Sequence, residues 1–256
     1  MKIFKEVFGH GEEVILLHGW ALDHRFLQPL ISHLKDRFHI TTVDLPGCGW
    51  SEWSPNLRTI HDMADLLLPF LPKSAIYIGS SIGGCIAMSI AARYPERVKR
   101  LIGVGTTPRF LEAKNWPGAP EPGFSVNNNM IREMGIKAFM QKVIEMEFSG
   151  FASKPSAYYE LLKFLDEKVI KLETFLKGID ILDTLDLRQE IQSLKCPVDL
   201  VFGEDDTFVP VAVAEAIRKL NPQIQTHIIT KAYHTPYLTH PKEFDNLLDQ
   251  ILKSAF

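Results

Sequence analysis

Ser81 stands at the centre of Gly79-Ser80-Ser81-Ile82-Gly83, the one register in which this stretch satisfies G-x-S-x-G, because Ile78 occupies the glycine position that Ser80 would need. A serine in that frame is a candidate nucleophile for acyl transfer: the glycines permit a sharp strand-to-helix turn that lifts the hydroxyl above a sheet edge. At its free pKa the hydroxyl attacks poorly, so a histidine must take its proton and a carboxylate must orient that histidine. For a serine on such an elbow the acid and then the base come later in the chain, which leaves His227, His234 and His240 of the nine histidines. His227 alternates within an apolar run, and His240 precedes Pro241 at a helix entry. His234 lies in Lys231-Ala232-Tyr233-His234-Thr235-Pro236, directly after the last strand pattern, where its ring can reach the edge of a sheet. It is therefore the expected base.

For the acid, Gly203-Glu204-Asp205-Asp206-Thr207 places three carboxylates on one loop after a buried run. Asp206, deeper in the turn, is the expected partner of the histidine; Asp205 is the alternative, and in a third reading the acidic turn only caps the helix that follows at Val211. A tetrahedral intermediate also needs N–H donors aimed at its oxyanion. His18-Gly19-Trp20 follows an apolar strand and opens a loop at the same sheet edge, so the backbone amides of Trp20 and Ile82 are the expected donors. His18, ahead of the serine in the chain, is expected to hold the loop rather than act as a base.

These residues require elements to position them. Val14 to Leu17, His39 to Val43, Ala75 to Ile78 and Val98 to Val104 read as buried strands, with helical patterns near Phe26 to Leu34 and from Ile82 to Tyr94 between them. That alternation implies βαβ units and a mostly parallel sheet flanked by helices, an α/β fold. Residues 108–123 then carry four prolines and no periodicity, and from Met130 to Gly178 the pattern is helical throughout. Ile136, Phe139, Met140, Val143 and Ile144 share one face at i, i+3, i+4, i+7 and i+8. A helical cap insertion over residues 108–185 is expected, with 1–107 and 186–256 forming the core. The βα pattern resumes with a strand from Pro197 to Phe202, a helix from Val211 to Leu220, a strand from Ile224 to Ile229 and a helix from Glu243 to Lys253.

Composition removes several other classes. With 28 basic against 31 acidic residues the formal charge is −3, so there is no global field for a polyanion or an anionic membrane surface, and neither nucleic acid nor membrane is an expected partner. No apolar run approaches the ~20 residues of a spanning helix, and no export signal is read at the N-terminus. Cys48, Cys85 and Cys196 offer neither an even disulfide framework nor CxxC spacing, so reduced thiols and a cytoplasmic location are expected. Asp44-Leu45-Pro46-Gly47-Cys48-Gly49 lacks G-x-G-x-x-G and is read as a structural loop rather than a dinucleotide site. No pair of histidines has i, i+4 spacing, so neither a metal nor another cofactor is expected.

LLHGWALD (16–23), VDLPGCGWS (43–51) and IGSSIGG (78–84) resemble the α/β-hydrolase superfamily. YPERV (94–98), WPG (116–118), DLRQ (186–189), VFGEDDTFVP (201–210) and KAYHTPYLTHPKEF (231–244) extend the resemblance, within it, to the methyl ester esterases of biotin synthesis that act on pimeloyl-acyl-carrier protein. The resemblance implies a Ser81, Asp206 and His234 triad and oxyanion donors at Trp20 and Ile82. It also implies substrate contacts from Trp20, Ser81, Ile82 and His234 together with Val143, Ile144, Glu145, Met146 and Glu147 of the cap. Ser80 stands where such esterases carry tryptophan, and Glu145 and Glu147 replace uncharged residues. The implied reaction is hydrolysis of a methyl ester, the partner an acyl carrier protein and the state a monomer. A short-chain carboxylesterase, thioesterase or C–C hydrolase of the same fold, or a non-catalytic binding protein, are the alternatives. Residues 108–185 hold 10 Lys plus Arg and 11 Asp plus Glu, so a basic docking surface would have to be a local patch of Lys137, Lys142, Lys154 and Lys163.

Overall fold

The computed structural model describes residues 1–168 and 170–253. Seven strands form one sheet in the order β1-β3-β2-β4-β5-β6-β7. They are β1 (Lys5–Phe8), β2 (Glu12–Leu17), β3 (Phe38–Val43), β4 (Ala75–Ser80), β5 (Val98–Val104), β6 (Val198–Gly203) and β7 (Gln225–Ile229). Every neighbouring pair is parallel except β1 and β3. Val14–Leu17 of β2 and the whole of β4 are buried, as expected where helices cover both faces of a parallel sheet.

Between β2 and β5 run α1 (Gln28–Leu34), α2 (Ile60–Leu67) and α3 (Ile82–Arg93). The small residues of α3 let it lie flat on the sheet, and Ile82 through Ala91 are all buried. Tyr94 and Pro95 end it, as a proline following a helix requires. The N-terminus of α2 is closed by a reciprocal cap: the Thr59 hydroxyl accepts from the Asp62 amide at 3.1 Å, and the Asp62 carboxylate accepts from the Thr59 amide at 2.9 Å.

The long connection between β5 and β6 carries α4 (Asn128–Met134), α5 (Ile136–Glu147), α6 (Ser156–Glu167), α7 (Leu172–Thr184) and α8 (Arg188–Gln192). The helical stretch predicted from Met130 to Gly178 is therefore several helices, interrupted at Gly135 and across 148–155, with α6 ending at Glu167 and α7 beginning at Leu172. Gly135 adopts φ +80°, outside the helical region, and Gly150 and Pro155 break the second gap. After β6, α9 (Val213–Leu220), α10 (Pro236–Thr239) and α11 (Pro241–Lys253) complete the chain. Among the described residues no helix is long and apolar enough to cross a membrane.

Candidate active site

Ser81 follows β4 directly and adopts φ +53°, ψ −121°. A non-glycine residue at positive φ is strained and persists only where the surroundings fix it. Here the Ser81 amide donates to the Val104 carbonyl at 2.7 Å, and the Thr106 hydroxyl donates to the Ser81 carbonyl at 3.0 Å. Gly83 is required for a different reason: a Cβ there would lie 2.5 Å from the Leu17 carbonyl oxygen, so only glycine lets α3 start against the end of β2. The elbow read from G-x-S-x-G is present, with its hydroxyl-bearing residue on the wall of an apolar cavity.

His234 lies on the loop after β7. Its Nδ1 is 2.8 Å from Asp206 Oδ2, and the other Asp206 oxygen accepts from the amides of Phe208 at 2.8 Å and Val209 at 3.0 Å. An ionised carboxylate only accepts, so Nδ1 carries the proton and Nε2 is left to take another. Burial by itself lowers the His234 pKa, but the charge and hydrogen bond of Asp206, joined by the charge of Glu147, outweigh it and hold the pKa above its ordinary value. The two loop carboxylates are thereby told apart. Asp206 is buried, whereas Asp205 is exposed and contributes only its amide, to the Ala232 carbonyl at 2.9 Å. Gly105, at φ +55°, makes room for the ring, because a Cβ there would come within 2.9 Å of His234 Nδ1.

His18, buried completely, donates from Nδ1 to the Gly19 carbonyl at 2.7 Å and accepts at Nε2 from the Leu45 amide at 2.9 Å. Burial pushes its pKa down, so it stays neutral and braces the loop, as the sequence indicated. A Cβ added to Gly19 would stand 3.6 Å from Ser81 Cβ, which puts the Gly19-Trp20 segment beside the nucleophile. Among the described residues the backbone amides of Trp20 and Ile82 meet no acceptor. Two unpartnered donors flanking Ser81 are what an oxyanion site requires. The Trp20 indole is committed elsewhere, donating to the Phe175 carbonyl of α7 at 3.2 Å.

The cavity over Ser81 and His234 encloses about 1030 Å³ of empty space, part of it open to solvent. Its floor is Trp20, Ser80, Ser81 and His234, and its walls come from α5, α6 and α7, chiefly Phe139, Val143, Ile144, Leu161, Ile179 and Leu182. Of the five cap residues that the resemblance implied, Val143, Ile144 and Glu147 line this space. Glu145 and Met146 do not: Glu145 projects from the exposed face of α5, and Met146 turns to accept from the Thr207 hydroxyl at 3.7 Å. Glu147 is buried, with one carboxylate oxygen accepting from both the amide and the hydroxyl of Thr235. Sequence reasoning missed this bond, although Glu147 falls in register with the apolar face of α5, where a charge signals a specific partner.

His227 Nε2 pairs with Asp199 at 2.9 Å beside Arg100, a structural cluster on β5, β6 and β7. Asp23, His24 and Asp44 gather within 4.8 Å of one another. Their oxygens are already engaged: Asp44 accepts from the His24 ring at 2.8 Å and the Trp50 amide at 2.9 Å, and Asp23 pairs with Arg25 at 2.7 Å. Of the four lysines of the local patch, Lys137 pairs with Asp166 at 2.6 Å and Lys163 approaches Glu167 at 4.0 Å, while Lys154 donates to the neutral Phe148 carbonyl at 2.5 Å.

A serine on a strand-to-helix turn, a histidine held by a carboxylate and two free backbone amides thus come together at one end of a parallel sheet. The family model for the alpha/beta hydrolase fold matches residues 13–134. Solved structures share the whole fold: an esterase from Thermogutta terrifontis has a TM-score of 0.77 at 23% identity, over 99% of this chain and 93% of that one. A bromoperoxidase from Bacillus anthracis has a TM-score of 0.85 at 21% identity, over 98% and 95%. The chain belongs to the α/β-hydrolase family, as a carboxylic ester hydrolase. It is 32% identical over 255 residues to the pimeloyl-[acyl-carrier protein] methyl ester esterase of Proteus mirabilis, covering 96% of this chain and 95% of the relative.

Proposed function

We propose that this esterase hydrolyses the methyl ester of a pimeloyl chain carried by acyl carrier protein, releasing methanol and the free acid. Ser81 Oγ attacks the ester carbonyl while His234 Nε2 takes its proton, and the amides of Trp20 and Ile82 receive the oxyanion. The protonated His234, held in orientation by Asp206, gives that proton to the departing methoxide; it then activates water, which releases the acyl group from Ser81. Residues 108–185 act as a cap that supplies an apolar wall for the methylene chain, with the core in 1–107 and 186–256. The acyl carrier protein is the partner, the enzyme is a monomer, and the free thiols Cys48, Cys85 and Cys196 agree with a cytoplasmic location.

The observation that carries this reading is the 2.8 Å His234 to Asp206 contact beside Ser81, at the base of an apolar cavity, in a chain 32% identical to an esterase of that name. The test is methanol release from pimeloyl-acyl-carrier-protein methyl ester against a small free methyl ester, for the parent and Ser81→Ala. Loss of turnover in the variant and preference for the carrier-bound ester are expected. Turnover of the small ester alone would retain the chemistry and assign the protein to short-chain carboxylesterases.

A further inference from the structure

We propose that Glu147, on the last turn of α5, is a positioning residue that fixes the His234 loop to the cap, so that the base is held toward Ser81 while α5 is seated. The inference rests on the reading of His234 as the general base. Glu147 is 6% exposed, and one oxygen of its carboxylate takes both the amide and, at 2.6 Å, the hydroxyl of Thr235, the residue immediately after the base. The contact does not stand alone. Ser149 donates to the Tyr233 hydroxyl at 3.0 Å, and Thr207, next to Asp206, donates to Met146 at 3.7 Å. The end of α5 thus grips the chain on both sides of the base and on the far side of the acid.

An apolar residue at position 147 would suit the buried face of α5 better, since a buried carboxylate is unfavourable unless it is paired and hydrogen-bonded. The groups facing it are few. His234 attracts its charge, Asp206 repels it, and the Tyr237 phenol, which donates to Ser80 Oγ at 3.4 Å, lies within its field. Burial raises the Glu147 pKa and Asp206 adds to the rise, while His234 and the two Thr235 donors oppose it. In return, the Glu147 charge helps to hold the His234 pKa up.

The experiment compares the full-length parent with Glu147→Leu and Glu147→Gln on p-nitrophenyl acetate, which needs no carrier protein, with kcat, KM, pH profiles and melting temperatures recorded for each. Glu147→Leu removes the acceptor and is expected to lower kcat by roughly 10- to 100-fold, the range for a displaced catalytic group, with KM little changed. Gln keeps an acceptor oxygen for Thr235 but not the charge. It is expected to recover at least about tenfold of that loss, and to move the acid limb of kcat/KM to lower pH. The proposal is overturned if Glu147→Leu keeps the parental kcat, or if a folded Glu147→Gln, which keeps the acceptor for Thr235, still loses tenfold or more in kcat. The second result decides the matter even if the leucine variant does not fold. Ser81→Ala on the same ester separately tests the site reading: hydrolysis at the parental rate would remove the nucleophile itself and not merely the role of Glu147.

Discussion

Asp206→Asn is the substitution whose consequence follows most directly from the geometry. Asp206 Oδ1 accepts from two backbone amides at 2.8 and 3.0 Å, while Oδ2 faces His234 Nδ1 at 2.8 Å. In the substituted side chain the carboxamide oxygen must stay on the two amide donors, because an NH2 group there would leave both buried N–H groups unpaired at about 1–3 kcal/mol each. The NH2 therefore points at His234, which can accept it only by moving its proton from Nδ1 to Nε2. In that tautomer Nε2 cannot take the serine proton. Fixing a catalytic histidine in the wrong tautomer lowers kcat by about 10⁴-fold, equivalent to about 5 kcal/mol of transition-state stabilisation. Asp205→Asn provides the control, since its exposed carboxylate is spent on no described partner; its kcat is expected to stay within about twofold, as for a surface change. Initial rates of methanol release, with melting temperatures to show that both variants fold, are the assay. An Asp206→Asn enzyme within tenfold of the parent, or an Asp205→Asn enzyme that is the slower of the two, would refute the argument.

Further outcomes follow from the same structure. The base works only when neutral, and the His234 pKa is held above its ordinary 6.5, so kcat/KM is expected to fall with decreasing pH from an acid limb lying above that value, measured with a non-titrating ester. Gly178→Ala would put a Cβ 1.9 Å from Trp20 Cε2. Overpacking of that kind costs about 1–3 kcal/mol, so the melting temperature should drop by roughly 2–10 °C and kcat should fall as Trp20 shifts; an unchanged melting curve would contradict the packing. Burial pushes the Cys48 and Cys85 thiols far up, while Cys196 is only partly covered. An aromatic disulfide reagent should therefore titrate at most Cys196 in the native protein and all three thiols after denaturation.

The placement of Ser81 on a strand-to-helix turn and of His234 on the loop after β7 is legible in the sequence because each depends on local signals: the glycines around Ser81, and a histidine directly after the last strand pattern. Asp206 was favoured over Asp205, but what separates them is tertiary. The Asp205 amide is fixed to the Ala232 carbonyl, which turns its side chain outward, and no local pattern encodes that pairing. Strand β1 went unread because its four residues alternate exposed with half-buried and it only edges the sheet. Helix α2 also went unread, although Thr59-x-x-Asp62 is a capping signature that could have revealed it. In the cap, the periodic face of α5 was correct, yet periodicity continues across a glycine and a proline that end helices, so the breaks were lost. Part of the lysine charge is met by a tertiary partner that the sequence does not show, Asp166 beside Lys137, and part by a local one, Glu167, four residues after Lys163 on α6.

The strand order places Ser81 and His234 in regions of unequal durability. Ser81 rises from β4, the fourth of seven strands, with buried neighbours on both sides, whereas His234 hangs from β7, which ends the sheet and is only partly covered, with Gln225 and Ile228 exposed. Strands at a sheet margin open locally at lower free energy than those at its centre. Amide protons of β7 should therefore exchange well before those of β4, and mild denaturant should silence the enzyme while most of its sheet remains intact. Inactivation is then a fraying event at one margin of the molecule, reversible on dilution, rather than a report of global unfolding.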